Sequence, residues 1–291
     1  MSNSGYEQMV TNSGIKGVSL LLLLILLSLT ACNINTPNSE KEDSGQPHQE
    51  VDWYKPSVDT TWQWQLSGVI NMAYDVALYD IDLFDVQVAE IEALHRSSRK
   101  VICYFSAGSF EDWREDANQF SEVVKGNNLD EWPGEKWLDI RDPSVLNIMK
   151  ARMSLAREKG CDGVEPDNMD GYINDPGFPL TFNDQLQYNQ ALAAAAHELG
   201  LAIGLKNDLD QVELLQPYFD FAVNEQCFEY EECEMLLPFI EANKPVFNAE
   251  YLAVYQQDEQ ARNALCQQAQ DLGLQTLVLP LELDDTFRFA C

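Results

Sequence analysis

The chain has 291 residues, and its hydrophobic (45%) and aromatic (10%) fractions are those of a globular protein with a sizeable core. Its 48 acidic residues outnumber its 18 Lys and Arg residues, which gives a formal net charge of -30. Nucleic acid and anionic membrane surfaces are therefore excluded as expected partners, because phosphate groups bind to basic patches. Either the acidic surface attracts a cationic substrate, or it only keeps the protein soluble.

Residues 1–31 have the features of a lipoprotein signal peptide. Lys16 precedes an apolar run over residues 18–29, which is too short for a membrane span. The segment from Leu29 to Cys32 (Leu-Thr-Ala-Cys) resembles a bacterial lipobox, which implies cleavage before Cys32 and acylation of its thiol. Asn33 follows, where Asp commonly signals inner-membrane retention in such lipoproteins. We therefore expect a lipid anchor in the outer membrane and an extracytoplasmic domain, the alternative being an ordinary cleaved signal peptide.

Residues 32–51 are rich in Pro, Ser, Asn and Glu and contain almost no large apolar side chains. Such a composition cannot bury a core, so we expect a flexible tether. Residues 52–291 are expected to form one domain.

Short apolar runs alternate with helical periodicity along this domain. The predicted strands are 61–66, 76–81, 101–105, 163–166, 202–205, 221–223, 245–247 and 276–279. The predicted helices are 86–97, 143–159, 184–199, 212–217, 232–242 and 258–272, with Gly160 and Gly200 at helix ends. This alternation predicts an α/β fold, a (β/α)8 TIM-like barrel, and the absence of a GxGxxG motif after the first strand disfavours a dinucleotide-binding sheet.

Six cysteines remain once Cys32 is set aside, which suits disulfide formation in an oxidising compartment. They allow fifteen complete pairings. We favour Cys227–Cys233 and Cys266–Cys291, with Cys103–Cys161 between consecutive strands. A zinc site is disfavoured because no pair has CxxC spacing and the chain has only three His residues.

Polar and aromatic side chains stand at the carboxyl ends of the predicted strands, where barrel enzymes place their catalytic groups. Asp167 and Glu225 follow two different strands, so they could flank a glycosidic bond as the carboxyl pair of a glycosidase. Some of these acidic and amide side chains could equally be helix caps. The remaining candidates at strand ends are Trp64, Asp80, Asp82, Tyr104, Glu165, Asn168, Lys206, Asn207, Asp208, Asn224, Tyr251 and Asp284.

Five segments together resemble glycoside hydrolase family 114, the endo-α-1,4-polygalactosaminidase and spherulin-4-like proteins. They are residues 62–68, 100–109, 163–168, 204–207 and 223–227, and they occur in the family's order. The resemblance implies a barrel that hydrolyses α-1,4-linked galactosamine-containing polymers. It places the family's catalytic Asp and Glu at Asp167 and Glu225, with a nucleophile role favoured for Asp167.

The resemblance also agrees with the acidic composition, because a deacetylated galactosamine polymer is a polycation. Asp80, Asp82, Asp208 and Asp284 are candidates for pairing with its ammonium groups, and Lys206 is expected to orient or tune a catalytic carboxylate. Trp64, Tyr104, Tyr172 and Tyr251 are candidates for stacking on sugars, although each fits the core equally well.

We expect Glu165, Asn168, Asn207 and Asn224 to position the substrate. The chemistry requires no cofactor and no metal. Two alternatives stay open, namely a surface-tethered protein that binds an aminosugar polymer without cutting it, and a barrel glycosidase for another glycan.

Overall fold

The structure is a computed structural model, and it describes residues 52–130 and 132–291. The predicted signal peptide, its lipobox and most of the predicted tether lie outside the described residues. Among the helices of the described part, none is long and apolar enough to cross a membrane.

Strands and helices alternate along most of the described chain. The strands are β1 (Trp62–Gln65), β2 (Leu78–Asp82), β3 (Lys100–Ser106), β4 (Ser109–Glu111), β5 (Lys125–Asn128), β6 (Glu135–Leu138), β7 (Gly163–Asp167), β8 (Ala202–Lys206), β9 (Phe221–Glu225), β10 (Val246–Glu250), β11 (Gln275–Val278) and β12 (Phe289–Ala290). The helices are α1 (Val88–Arg96), α2 (Pro143–Lys159), α3 (Phe182–Glu198), α4 (Val212–Leu215), α5 (Leu237–Glu241), α6 (Ala253–Gln257) and α7 (Glu259–Leu272).

Nine strands form the main sheet, in the order β1-β2-β3-β7-β8-β9-β10-β11-β12. The first eight of them are parallel and follow chain order, as the alternation of strands and helices predicts, and β12 pairs antiparallel with β11. Within the described residues, no backbone ladder joins β1 to β11 or β12. The expected mixed α/β fold is therefore confirmed, whereas the sheet is not closed by hydrogen-bonded strands.

The sheet is curled, because side chains from its first and last strands share one buried cluster. Trp62 and Trp64 of β1 lie in this cluster together with Phe247 of β10 and Leu277 of β11. The rings of Trp62 and Phe247 are 5.0 Å apart between their centres. Alternate residues of each strand point inward, as the period of a β-strand requires, and the outward-facing residues pack against the helices.

The helices begin and end at residues that satisfy their free backbone groups. Asp142 accepts a hydrogen bond from the Ser144 backbone before α2, and Pro143 occupies the first turn. Gly160 ends the helix in the left-handed conformation, with φ of 100°. Thr181 and Asp184 cap α3 reciprocally. The helices that cross between strands are thereby fixed in length, which holds the strand ends level at one edge of the sheet.

The structure adds elements that the sequence patterns do not predict. A second, antiparallel sheet of order β4-β6-β5 is inserted between β3 and α2. Its strands have three or four residues each, too short to show a clear period of two. The short helix α6 and the strand β12 are also new. All eight predicted strands of the main sheet are present, with ends shifted by at most three residues.

Three disulfides join Cys103 to Cys161, Cys227 to Cys233 and Cys266 to Cys291. This is the pairing favoured from the sequence. The first links β3 to the segment before β7, the second closes the loop after β9, and the third ties the residue after β12 to α7.

Candidate active site

A cavity of about 700 Å³ opens at the carboxyl ends of the parallel strands. Seven of the predicted site residues line it, and so does the inserted three-stranded sheet. The predicted residues are Trp64, Tyr104, Asp167, Asn168, Lys206, Asn207 and Glu225. Among the others are Asn127, Asn128, Leu129, Asp130, Trp132, Glu135, Trp137, Asp170, Asn174, Asp175, Gln226 and Glu282.

The ammonium group of Lys206 lies between the two predicted catalytic carboxylates. Its Nζ is 2.9 Å from Asp167 Oδ1 and 2.7 Å from Glu225 Oε2. It also lies 5.3 Å from the ring centre of Trp64, within cation–π range. Burial alone would lower the pKa of Lys206, but Asp167 and Glu225 raise it well above its ordinary value. Lys206 therefore stays charged, and its predicted role as an ion-pair partner of the carboxylates is matched by these contacts.

Asp167 is held as a carboxylate by three donors. Besides Lys206, the Tyr104 hydroxyl donates to its Oδ2 over 3.0 Å, and the Asn168 backbone N–H donates to its Oδ1 over 2.7 Å. Burial raises the pKa of Asp167, but Lys206 and these hydrogen bonds overcome that effect and hold the pKa below its usual value. Burial, followed by the charge of Asp167, raises the pKa of Tyr104 well above normal, so its hydroxyl remains a donor.

Asn168 adopts the left-handed backbone conformation, with φ of 58°. The chain therefore turns sharply directly after Asp167. Gly108 makes the turn possible, because a Cβ at that position would stand 1.7 Å from the Asn168 carbonyl oxygen. The backbone N–H groups of Ala107 and Gly108 both donate to the Asp167 carbonyl oxygen, at 2.9 and 3.1 Å. The segment after β3 therefore fixes the end of β7.

Glu225 is oriented by two residues that directly follow β8 and β10. The Tyr251 hydroxyl donates to its Oε1 over 2.6 Å, and its own backbone N–H donates to Asn207 Oδ1 over 3.1 Å. Asn224 does not line the cavity; it donates to the same Asn207 oxygen over 3.2 Å. Burial and the Glu225 charge raise the pKa of Tyr251 well above its usual value, so this hydroxyl also remains protonated. Asn224 and Tyr251 were expected to contact the substrate, but neither lines the cavity: Tyr251 bonds Glu225, and Asn224 bonds the Asn207 side chain that positions it.

Asp80 and Glu165 differ from the substrate-contacting role expected of them. Both are buried below the cavity and do not line it, with exposures of 1% and 0%. Asp80 Oδ1 and both Glu165 side-chain oxygens have no donor among the described residues. Burial raises the pKa of Asp80 to about 7 and that of Glu165 well above normal. Glu165 is therefore neutral near pH 7 and Asp80 is partly so, which reduces the unpaired charge at the centre of the sheet.

The sequence analysis was also wrong about Asp82, which it expected to pair with the ammonium groups of the substrate. It is buried away from the cavity and bound by Arg114, whose Nη2 is 2.7 Å from Asp82 Oδ2. Asp208, Asp284 and Tyr172 do not line the cavity either. Asp208 accepts a hydrogen bond from Asn189, and burial raises its pKa to about 9, so it is neutral at pH 7 and cannot pair with a cation. Strand-end position alone does not distinguish an acid that faces the cavity from one turned into the core.

The inserted sheet contributes the residues that the sequence analysis missed. Glu135 on β6 lines the cavity, and its Oε2 is within hydrogen-bond distance of Ser109 Oγ, at 2.7 Å. Trp132 is 49% exposed on the same wall. A Trp-Pro-Gly turn after residues 127–130 (Asn-Asn-Leu-Asp) was the available signal, since such turns favour exposed loops that carry function.

The site holds two carboxylates on opposite sides of one cation, at the mouth of a wide cavity. One carboxylate is stabilised in its ionised form, and each has a tyrosine that can only donate to it. A pair of carboxyl groups facing one cavity is what glycoside hydrolysis requires. Within the described residues, no group of three or more His, Cys, Asp or Glu side chains is placed to hold a metal ion.

Comparison with known proteins agrees with this chemistry. The model of glycoside-hydrolase family GH114 matches residues 43–291. The structure of Aspergillus fumigatus Ega3 in complex with galactosamine is 40% identical, with a TM-score of 0.77, and the match covers 82% of this chain and 98% of the other. The glycoside hydrolase domain of PelA from Pseudomonas aeruginosa shares the fold at 16% identity and a TM-score of 0.62, over 77% of this chain and 96% of that domain. None of the curated proteins matches.

Replacing Lys206 by Met should destabilise the fold by about 3–5 kcal/mol at pH 7, because it leaves two carboxylates partly buried without their cation. The low pKa of Asp167 stabilises the folded state above the unfolded pKa of about 3.9, and this contribution is lost as the pH falls through the folded value. The difference between wild type and Lys206→Met should therefore shrink below about pH 4. Urea unfolding at several pH values measures it.

Lys159→Met is the matched control, since the Lys159 ammonium donates to three backbone carbonyls, those of Leu83, Phe84 and Val86. Its loss should cost a similar free energy at every pH from 4 to 8. An equally flat profile for Lys206→Met would contradict the ion-pair account.

Proposed function

The chain belongs to glycoside-hydrolase family GH114, and from this membership we propose that it is an endo-acting hydrolase of α-1,4-linked galactosamine-containing polysaccharide. Asp167 is the nucleophile and Glu225 the general acid. The observation that carries this proposal is the contact of one ammonium group, that of Lys206, with both carboxylates at the cavity mouth.

The distance between the carboxylates favours a retaining reaction. Since both contact Lys206 Nζ, Asp167 Oδ1 and Glu225 Oε2 are separated by no more than the sum of the two contacts, about 5.6 Å. Retaining glycosidases keep their carboxyl groups roughly 5–5.5 Å apart, whereas inverting enzymes need roughly 6.5–9.5 Å to admit a water molecule. Asp167 would then form a covalent glycosyl intermediate.

The surroundings of the two carboxyl groups suit these different roles. Asp167 has a lowered pKa and three donors, so it is ionised and oriented for attack on the anomeric carbon. Glu225 takes up a proton, delivers it to the leaving oxygen and then removes one from the incoming water. Lys206 contacts both groups. When Asp167 attacks, it loses its negative charge, and Glu225 becomes an anion as it gives up its proton. The ion pair of Lys206 with Glu225 is therefore strengthened during this step.

An aminosugar polymer suits the charge of the site. Besides the catalytic pair, five acidic residues line the cavity, namely Asp130, Glu135, Asp170, Asp175 and Glu282. The whole chain carries a formal charge of -30, so a cationic polymer is attracted at long range and paired at the site. Galactosamine is bound in the Ega3 structure, and this supports an aminosugar substrate for the present chain as well.

Endo action is supported by a continuation of the cavity. A second, shallower cavity of about 340 Å³ is lined by Asn128, Leu129, Trp132, Pro133 and Gly134. It shares Asn128, Leu129 and Trp132 with the main cavity. A polysaccharide that extends beyond the cleaved bond would run over the exposed Trp132 ring.

We also propose that residues 52–291 form one catalytic domain, a (β/α)8 barrel whose closing ladder is replaced by other contacts. Trp62 Nε1 donates to the Gln275 carbonyl over 2.9 Å, and the Leu66 N–H donates to the Leu283 carbonyl over 3.0 Å. Arg288 donates to the Trp62 carbonyl over 2.8 Å. These bonds hold β1 against the end of the chain.

Outside the described residues, we propose that Cys32 carries a lipid anchor and that the hydrolase acts in the bacterial cell envelope, at the outer membrane. The Leu-Thr-Ala-Cys sequence ending at Cys32 supports acylation, and the three disulfides suit an oxidising compartment.

Asp167→Asn and Glu225→Gln should each lower the hydrolysis of α-1,4-galactosamine oligomers by about 10³-fold or more, because each removes a group that acts on the reacting bond. New reducing ends from acetylated and deacetylated oligomers measure activity, and NMR of the first product gives its anomeric configuration. Asp271→Asn, on an exposed face of α7, is the control. Activity like that of wild type in either catalytic variant would refute the assignment, and simple retention of uncut polymer by wild type would favour the binding-protein alternative.

Trp132→Ala should reduce kcat/KM for long polymers about five-fold, the effect of losing one aromatic contact, and leave short oligomers unaffected. Trp113→Ala is matched to it, since Trp113 is 53% exposed nearby but lines neither cavity. Equal behaviour of the two variants on polymers of every length would argue against a cleft that continues over Trp132.

Cys32→Ala should abolish incorporation of labelled fatty acid into the protein, because it removes the thiol that carries the acyl chains. Mass spectrometry of the wild-type N-terminal peptide should show diacylglycerol on Cys32 and cleavage before it. An unmodified Cys32 in the wild type, or a variant that still incorporates the label, would exclude this anchor.

A further inference from the structure

A chain of side-chain contacts runs from Glu135 on the inserted sheet to Asn168 beside the nucleophile. Glu135 Oε2 is 2.7 Å from Ser109 Oγ, which is 2.6 Å from Ser106 Oγ, which is 2.7 Å from Asn168 Oδ1. Ser106 and Ser109 are fully buried. The two ends of the chain, Glu135 and Asn168, both line the cavity.

The three contacts need three hydrogen atoms, one in each gap, because every one of these distances is that of an O–H···O hydrogen bond. The two serine hydroxyls supply two of them. An amide oxygen supplies none, so with Asn168 Oδ1 facing Ser106 the third comes from a protonated carboxyl group on Glu135. In this arrangement Glu135 donates to Ser109, Ser109 donates to Ser106, and Ser106 donates to Asn168.

The surroundings of Glu135 favour that protonated state. Burial, together with the nearby charges of Glu111 and Asp167, raises its pKa to about 7 against the opposing effects of Ser109 and Arg114. Tyr104, the other titratable group that faces it, stays neutral. Glu135 therefore carries its proton below about pH 7 and loses it above.

Loss of the proton from Glu135 reverses the direction of all three hydrogen bonds. A Glu135 carboxylate accepts from Ser109, Ser109 then accepts from Ser106, and Asn168 must provide a donor to Ser106. Rotation of the Asn168 amide by half a turn supplies it. The Asn168 Nδ2 atom has no partner within the described residues and is not buried, so it is free to exchange places with Oδ1.

We propose that Glu135 determines, through Ser109 and Ser106, whether Asn168 presents a hydrogen-bond donor or an acceptor to the sugar in the cavity. With neutral Glu135 the amide N–H faces the sugar and suits a carbonyl acceptor, such as an acetamido group. With ionised Glu135 the amide oxygen faces it and suits an amino or ammonium donor. Asn168 follows the nucleophile, and the C2 substituent stands on the carbon next to the one attacked.

This inference rests on the proposed function and extends it to acetylation preference. The measurement is the ratio of kcat/KM for deacetylated and acetylated α-1,4-galactosamine oligomers, taken between about pH 5.5 and 8.5 on wild type, Glu135→Gln and Ser109→Ala. The titration of the substrate amine affects all three proteins equally. As the pH increases over this range, the ratio should rise about five-fold more in wild type than in either variant, which corresponds to the free energy of one hydrogen bond. Glu122→Gln, an exposed carboxylate on the same insertion, should behave as wild type.

A second measurement reads the proton directly, without any substrate. The infrared spectrum of wild type at about pH 6 should contain a protonated-carboxyl band that is missing from Glu135→Gln and that titrates near neutral pH. Absence of that band, or identical pH dependence of the ratio in all variants, would overturn the role of Glu135. If wild type cuts neither substrate, the proposed function fails, and the band still decides whether the hydroxyl chain starts from a neutral carboxyl group.

Discussion

A single ammonium group, that of Lys206, organises the catalytic end of this protein. It is buried at 3% exposure and contacts two carboxylates that come from different strands. Asp167 and Glu225 would repel each other at this distance without it. Their tyrosine partners, and the asparagines that position Glu225, complete hydrogen bonds around this contact. The positions of the two carboxyl groups therefore depend mainly on their ion pairs with Lys206, and less on the conformations of the loops around them.

The carboxyl groups of the site are sorted by depth. Asp167 and Glu225 at the mouth share a cation, whereas burial keeps Glu165 below them neutral. Burial brings the pKa values of Asp80, beside Glu165, and of Glu135, on the side wall, to about 7. One small region therefore contains ionised, neutral and titrating carboxyl groups.

The sequence predicted the parallel strands, the disulfides and seven residues that line the cavity, because these depend on local periodicity, parity of cysteines and position at strand ends. It wrongly predicted that Asp80, Asp82 and Glu165 contact the substrate, because position at a strand end does not reveal which side chains are buried in the core. It missed Glu135 and Trp132 because β4, β5 and β6 are too short for a periodic signal. The Gly108 contact with Asn168 joins residues sixty positions apart, which no local pattern encodes.

Gly108 does not line the cavity, yet the position of Asp167 depends on it. Any side chain there would meet the Asn168 carbonyl oxygen at 1.7 Å and displace the backbone that orients Asp167. A relative that keeps Asp and Glu but has lost this glycine is thus a candidate for a pseudoenzyme. A survey that judges activity from the acid pair alone would count such a chain as a hydrolase.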